Sequence, residues 1–384
     1  MLGDRSLFPD LGPRAYLNHA GVSPPPLPVR RAVAAMLDVY ARGGAEGFAA
    51  ALRTRTRLRE LLARLVGGAP RDVALTSGTS AGVQAVALSF PWRPGDRVVL
   101  FDGEFPANVA PWLRAAARFG AEPRFLPLDP FLEGDGSGGL ERVEAELRRG
   151  ARLVAVSAVQ YRSGLAMPLR DLAAACHAHG AELFVDAVQA CGIVPVDAPA
   201  LGVDYLAGGG HKWLMGVEGA GFLWIRPGRL EALHPVTAGW LSHEEPVSFL
   251  LGEPGLLRYD RPLRDRADRL EGSSASVLGQ AALLAAVELL LGLGIEAIRG
   301  HVAAILDRLE PLLVARGFVS LRAPDAARRS GILSVLPPPG ERAAAVRERL
   351  AARGVAVATP DGAVRFSPHW PNGPGDADLV AAAL

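Results

Sequence analysis

Lysine is nearly absent from this sequence: Lys212 stands alone against 40 arginines in 384 residues. The heavy use of Ala, Gly, Pro and Arg marks a composition bias that favours arginine wherever only positive charge is needed. The survivor is therefore either a leftover surface lysine or a residue that does what arginine cannot, losing a proton to act as a primary-amine nucleophile. Cysteine is scarce too. Cys176 and Cys191 are too few for a disulfide framework and lack metal-ligand spacing, which leaves no metal site to expect and fits a reducing cytoplasm. Charge of one sign is also lacking: the net charge is +1 with no basic block, so there is no electrostatic footprint for nucleic acid or an anionic membrane. Unbroken apolar runs are missing as well. The most apolar stretch, Ala281 to Ile298, is interrupted by Glu288, Gly292, Gly294 and Glu296, and reads as a buried helix ending near Gly294 instead of a membrane span. Met1 to Pro9 holds Asp4 and Arg5 and no signal-peptide apolar core, so a cytoplasmic location is expected.

What is present suits an enzyme. A chain of this length, 49% hydrophobic, fills one large core or two domains. Short apolar runs alternate with Ala/Leu/Arg segments of helical period, an α/β pattern. Strands are expected at Val73–Thr76, Arg97–Phe101, Glu122–Leu126, Leu153–Val159, Glu182–Asp186, Tyr205–Ala207 and Gly221–Ile225. Helices are expected at Val29–Tyr40, Arg53–Leu65, Ala81–Leu88, Ala107–Phe119, Leu140–Arg148 and Leu169–His179. Strands so short and apolar predict a mostly parallel seven-stranded sheet covered on both faces. The composition changes after about Trp240, where a Pro/Gly-punctuated stretch leads to helices at Val277–Leu291 and Ile295–Arg316. Strand, helix and strand then follow at Gly331–Leu336, Arg342–Arg353 and Val355–Ala358. The expected organisation is an N-terminal segment (1–28), a large domain (29–245) and a smaller C-terminal α/β domain (246–384). Pro24-Pro25-Pro26 sets the entry to the first long helix.

Candidate chemical groups fall at the ends of these strands, where open α/β sheets bind ligands. Lys212, in Gly208-Gly209-Gly210-His211-Lys212-Trp213, lies between two apolar runs at a backbone turn. The run Leu75-Thr76-Ser77-Gly78-Thr79-Ser80-Ala81-Gly82 closes a strand and opens a helix, and is either an anion cradle or an ordinary N-cap using one hydroxyl. Asp186 ends a strand and is either a semi-buried carboxylate needing a cationic partner or the N-cap of a helix starting at Ala187. Gln189 lies one turn on. His211 is a packed neighbour of Lys212 or, beside a phosphate, a donor.

A Schiff-base lysine, a strand-end carboxylate and a hydroxyl-rich helix start together describe the needs of pyridoxal phosphate. At this point the sequence resembles the fold type I pyridoxal-phosphate enzymes of the aminotransferase class V family. It looks closest to the branch holding cysteine desulfurases, cystine lyases, isopenicillin N epimerases and kynureninase-like proteins. The resemblance is carried by Tyr16-Leu17-Asn18-His19-Ala20-Gly21, the Thr76 to Gly82 loop, Asp186-Ala187-Val188-Gln189, His211-Lys212-Trp213, Glu271-Gly272-Ser273-Ser274 and Val364-Arg365-Phe366-Ser367-Pro368-His369.

The resemblance implies that Lys212 forms the internal aldimine, that Asp186 pairs with the pyridine nitrogen and that Gln189 bonds the ring 3-oxygen. It gives Thr79, Ser80 and His211 to the phosphate, and sends Ser274 to the phosphate of the neighbouring subunit of a homodimer. Phe105 stands where the desulfurase branch stacks a histidine on the ring, which keeps a stacking face and loses an acid/base group. Arg365 matches the clamp on the substrate α-carboxylate, its alternative being a rim salt bridge. Asn18 and Tyr161 are expected at the substrate, Tyr161 where the family often has asparagine. Gly209 replaces a common serine and removes one phosphate donor. No cysteine follows Cys191, so the mobile thiolate of a persulfide-forming desulfurase is absent and Cys191 reads as a packed small hydrophobe. The implied chemistry passes through an external aldimine and a quinonoid on a small L-amino acid, with β-elimination of a C–S lyase type the leading outcome. Transamination and epimerization are the alternatives, and a cofactor-binding regulatory or scaffold protein is a further one.

Overall fold

The computed structural model describes residues 1–252 and 254–384. Its strands are β1 (Ala15–Tyr16), β2 (Val73–Thr76), β3 (Arg97–Asp102), β4 (Glu122–Pro127), β5 (Ala151–Ser157), β6 (Glu182–Asp186), β7 (Tyr205–Gly209), β8 (Gly221–Ile225), β9 (Val319–Ser320), β10 (Leu333–Leu336), β11 (Val355–Ala356) and β12 (Val364–Phe366). β2 to β8 form the expected seven-stranded sheet, in the order β2-β8-β7-β6-β5-β3-β4. Every pairing is parallel except those of β8, which runs antiparallel to both β2 and β7. The connection from β7 to β8 is too short for a crossover helix, and a short connection reverses the strand.

Alternation along the strands divides the core between the two faces of the sheet. Val99, Phe101, Val154, Val156, Leu183, Val185, Leu206, Phe222 and Trp224 lie in one buried cluster. Val98, Leu100, Leu153, Ala155, Phe184, Tyr205, Ala207, Leu223 and Ile225 lie in the other. Both sets are removed from water by helices, which is why the strands read as continuous apolar runs. A second, antiparallel sheet has the order β12-β10-β9, and β1 pairs with β11, so the N-terminal segment runs beside the C-terminal part of the chain.

Local chemistry explains where elements differ from their expected bounds. The first helix, Leu27–Gly43, begins directly after Pro26 and carries a proline in its first turn, where a missing N–H costs nothing. The expected helix from Ala107 starts instead at Ala110, after a single 3₁₀ turn at Pro106–Asn108, because Pro111 suits only a first turn. β5 stops at Ser157 instead of running to Val159: the Ser157 N–H is taken by the Glu104 carboxylate at 2.6 Å, and the chain then folds back through Gln160 to Leu165. The apolar stretch is helix Val277–Leu293, ended by Gly294 at φ 85°. It meets helix Ile295–Val314 at 77°, and no single helix among the described residues is long and apolar enough to cross a membrane.

Candidate active site

Because β8 is the one reversed strand of the seven, β2, β3, β5, β6 and β7 all end at the same edge of the sheet. Their loops converge on a cavity of about 580 Å³, and β12 contributes Arg365. Lining it are Thr79, Ser80, Phe105, Tyr161, Asp186, Gln189, His211, Lys212 and Arg365. These residues are spread over nearly three hundred positions of sequence and meet only through the topology.

The hydroxyl-rich loop is not an ordinary cap. Helix Thr79–Ser89 has Gly78 as its N-cap, with no side-chain cap, so no loop hydroxyl serves that purpose. Thr79 Oγ1 is buried without a hydrogen-bond partner, while Ser80 is exposed at the cavity. A buried hydroxyl with its donor unspent, beside a helix N-terminus, is suited to an anionic acceptor. Gly209 is tied to this arrangement. A β-carbon placed there would lie 2.7 Å from Thr79 Oγ1 and 3.3 Å from Val188, so the glycine makes the room in which the threonine hydroxyl sits.

Asp186 is the last residue of β6 and 2% exposed. Its Oδ1 accepts the Val188 N–H at 2.9 Å, and turns follow instead of a helix, so the carboxylate braces a turn as it lines the cavity. Burial, helped by the charge of Glu104, pushes it up to about 7 against the Val188 N–H and the weaker pull of Lys212. Such a group calls for a cation facing it. Gln189 is held at both ends: its Nε2 donates to the Ala20 carbonyl at 3.0 Å and its Oε1 accepts from Trp213 Nε1 at 2.7 Å. One amide hydrogen is left for the cavity.

Lys212 follows β7 in a turn, and its Nζ lies 5.3 Å from the centroid of the Phe105 ring. Phe105 in turn meets Tyr161 edge-to-face at 5.4 Å. Burial lowers the Lys212 pKa, Asp186 opposes this and Arg365 adds to it, which favours the neutral, nucleophilic amine. The neighbouring His211 is half-buried, and burial followed by the Lys212 charge lowers its pKa.

Arg365 is the central residue of β12, 5% exposed. Its Nη1 donates to the Tyr161 carbonyl at 2.8 Å, its Nε is buried without a partner, and no carboxylate among the described residues pairs with it. It is not a rim salt bridge. Burial alone pulls its pKa down to about 10.

Two of the expected residues do not line this cavity: Asn18, expected at the substrate, and Ser274, assigned to the phosphate of the neighbouring subunit. Asn18 is outside the cavity lining, bridged to Ser367, and its Oδ1 has no partner. Ser274 lines a different cavity, of about 670 Å³, together with Arg55, Arg59 and Arg266. Neither cysteine lines the Lys212 cavity. Both are buried, and burial pushes each thiol up to about 12.

Sequence reasoning missed Glu104. It is 7% exposed, and its carboxylate accepts from the Ser157 N–H, the Ser157 hydroxyl and Gln160 Nε2. The available signal was an acid two residues past the end of β3 and directly before Phe105, which does not reveal that the side chain turns inward.

A family model described as aminotransferase class-V matches residues 15–366. The chain is 32% identical over 333 residues to isopenicillin N epimerase of Streptomyces clavuligerus, covering 85% of this chain and 82% of that one. It is 29% identical to a probable cysteine desulfurase of Halalkalibacterium halodurans, covering 80% and 77%. Among solved structures, the cystine C-S lyase C-DES in complex with its product cysteine persulfide superposes with a TM-score of 0.88 at 25% identity, over 98% of each chain. A mutant of C-DES with glycine covalently linked to the PLP cofactor gives 0.87 at 26% identity, over 99% of this chain and 98% of that one. A match running from β1 to the end of β12 takes in every residue of the cavity, and this chain belongs to the aminotransferase class-V family.

Proposed function

We propose that this pyridoxal-phosphate enzyme eliminates the β-substituent of a small L-amino acid, a C–S lyase-type reaction that uses no cysteine nucleophile. The observation that carries the reading is a cavity holding an amine, Lys212, and an uncompensated guanidinium, Arg365, with no thiol in its lining.

The residues present fit the cofactor. Thr79 Oγ1 lacks an acceptor, and Thr79, Ser80, His211 and the helix N-terminus would hold its phosphate. Asp186 would face its ring nitrogen, whose proton returns the carboxylate to its charged form. Gln189 would reach the 3-oxygen and Phe105 would cover the ring. Bound there through Lys212, pyridoxal phosphate supplies the electron sink that lets a bond at the substrate Cα ionise.

This chain's own groups orient and move protons. Arg365 grips the α-carboxylate by its bidentate fork and so fixes which Cα bond stands toward Lys212. Lys212 Nζ, its proton affinity lowered by burial, takes the Cα proton. Tyr161 shapes the substrate end, and Phe105 closes it with an aromatic edge from which no proton can be given. We place the active form as a homodimer, with Ser274 reaching the partner's phosphate, and in a reducing compartment that keeps both thiols free.

A second reading is epimerization, in which Cα is reprotonated on its other face, and the relative named isopenicillin N epimerase supports it. Transamination by the same residues is the runner-up. One mixing experiment separates the three: holoenzyme with L-cysteine, L-cystine and a panel of L-amino acids, followed by its spectrum and by product assay. Pyruvate and sulfide with the starting spectrum restored support the lyase. A D-enantiomer supports the epimerase. Loss of the aldehyde form with a matching keto acid makes it an aminotransferase.

A further inference from the structure

We infer that Glu104 is a positioning residue for the substrate α-carboxylate: it secures the turn whose carbonyl holds Arg365. The inference rests on the reading of Arg365 as the carboxylate clamp. Glu104 is a buried carboxylate whose hydrogen-bond partners are all neutral. Oε1 accepts from the Ser157 N–H at 2.6 Å and from Gln160 Nε2 at 3.0 Å, and Oε2 accepts from the Ser157 hydroxyl. A charge removed from water needs every such donor, so its hold on the 157–160 strap is strong.

That strap leads to both ends of the site. Ser157 pairs in register with Asp186, so Glu104 fixes the strand end beside it. Gln160 opens a turn in which its own N–H donates to the Leu165 carbonyl and its carbonyl accepts from the Gly164 N–H, both at 2.9 Å. The next residue is Tyr161, whose carbonyl accepts from Arg365 Nη1 at 2.8 Å. Among the described residues that carbonyl is the only hydrogen-bond partner of the guanidinium. With no acid among the described residues to aim Arg365, the placement of one carbonyl aims it. Glu104 touches neither substrate nor cofactor in this arrangement and acts through the clamp.

The effect is on discrimination between an amino acid and the same amine without its carboxylate. Spectral titrations of holoenzyme with L-alanine and with ethylamine measure it as a ratio of two affinities. Glu104→Ala and Gln160→Ala should each lower the ratio about five-fold, the worth of one buried hydrogen bond of ~1 kcal/mol, with ethylamine affinity unchanged in Gln160→Ala. Glu104→Gln should keep the parent ratio. Its amide oxygen replaces Oε1, and its NH₂ donates to the Ser157 hydroxyl, so all three bonds survive without the charge. If E104A does not fold, Q160A decides the matter. Equal losses for both amines, or an unchanged ratio in Q160A, would overturn the inference while leaving Arg365 as the clamp. A parent protein that binds the two amines alike would overturn the clamp and the inference together.

Discussion

Replacing Arg365 with Ala gives the most direct measure of what the cavity is built to hold. The guanidinium is buried without a counter-anion among the described residues, and its pKa falls from 12.5 to about 10. At 1.36 kcal/mol per pKa unit this is a cost of about 3 kcal/mol for keeping the charge where it is. A cation whose folded pKa lies below its unfolded one weakens the fold at every pH below the folded pKa, and the penalty lifts as pH rises through about 10 and above. A carboxylate arriving at Arg365 removes most of that penalty and adds charge-assisted hydrogen bonds, worth ~2–3 kcal/mol together once its own desolvation is subtracted. Arg365→Ala should therefore weaken binding of an α-amino acid about 50- to 100-fold. Cofactor affinity should stay within about two-fold, since Arg365 contacts none of the groups given to the phosphate or ring. The stability of the apoprotein sets a cavity cost of ~2–3 kcal/mol against relief of the buried charge, and the two nearly cancel. The assay is a spectral titration of holoenzyme with L-alanine beside a cofactor titration and a thermal melt. An unchanged amino-acid Kd would refute the reasoning, and so would a large fall in Tm, which would mark Arg365 as a structural residue.

Lys212→Ala should bind cofactor without the yellow absorbance, and borohydride should no longer fix it to the protein; a persisting band would displace Lys212 from its role. In the apoprotein Asp186, raised from 3.8 to about 7 by burial, binds a proton more tightly folded than unfolded, so its contribution to stability is fully present below about 4 and is lost as pH rises through 7. Asp186→Asn should remove a few kcal/mol of that pH dependence, read as the difference between parent and variant melts at pH 5 and pH 8, and parallel curves would contradict it. Gly209→Ser puts a β-carbon 2.7 Å from Thr79 Oγ1, so cofactor affinity should fall about ten-fold, overpacking costing ~1–3 kcal/mol. Adding Thr79→Ala should recover part of it, and a tighter-binding G209S would show that the threonine moves aside freely. Sedimentation should find a dimer, and a fully active monomer would contradict the role given to Ser274.

Most of the framework was legible because it is local. Strand runs such as Val73–Thr76 and Glu182–Asp186 carry their own length, apolarity and flanking breaks, and Gly294 ends its helix wherever the rest of the chain lies. Lys212 was legible for a different reason, since scarcity made it conspicuous. The order of motifs then carried the family, the cofactor and the residues gathered in the cavity. What sequence left undecided depends on where distant groups finish. It offered two readings for the Thr79 loop and two for Arg365, and only packing shows an unspent hydroxyl and a guanidinium with no acid beside it. It did not mark Glu104, whose carboxylate turns inward to partners more than fifty residues away and cuts β5 short as it does so. Nor did it reveal the exchange of space between Gly209 and Thr79. Periodicity and turn chemistry act over a few residues, whereas burial, and with it every shifted proton affinity in this cavity, is set by what the fold brings from elsewhere in the chain.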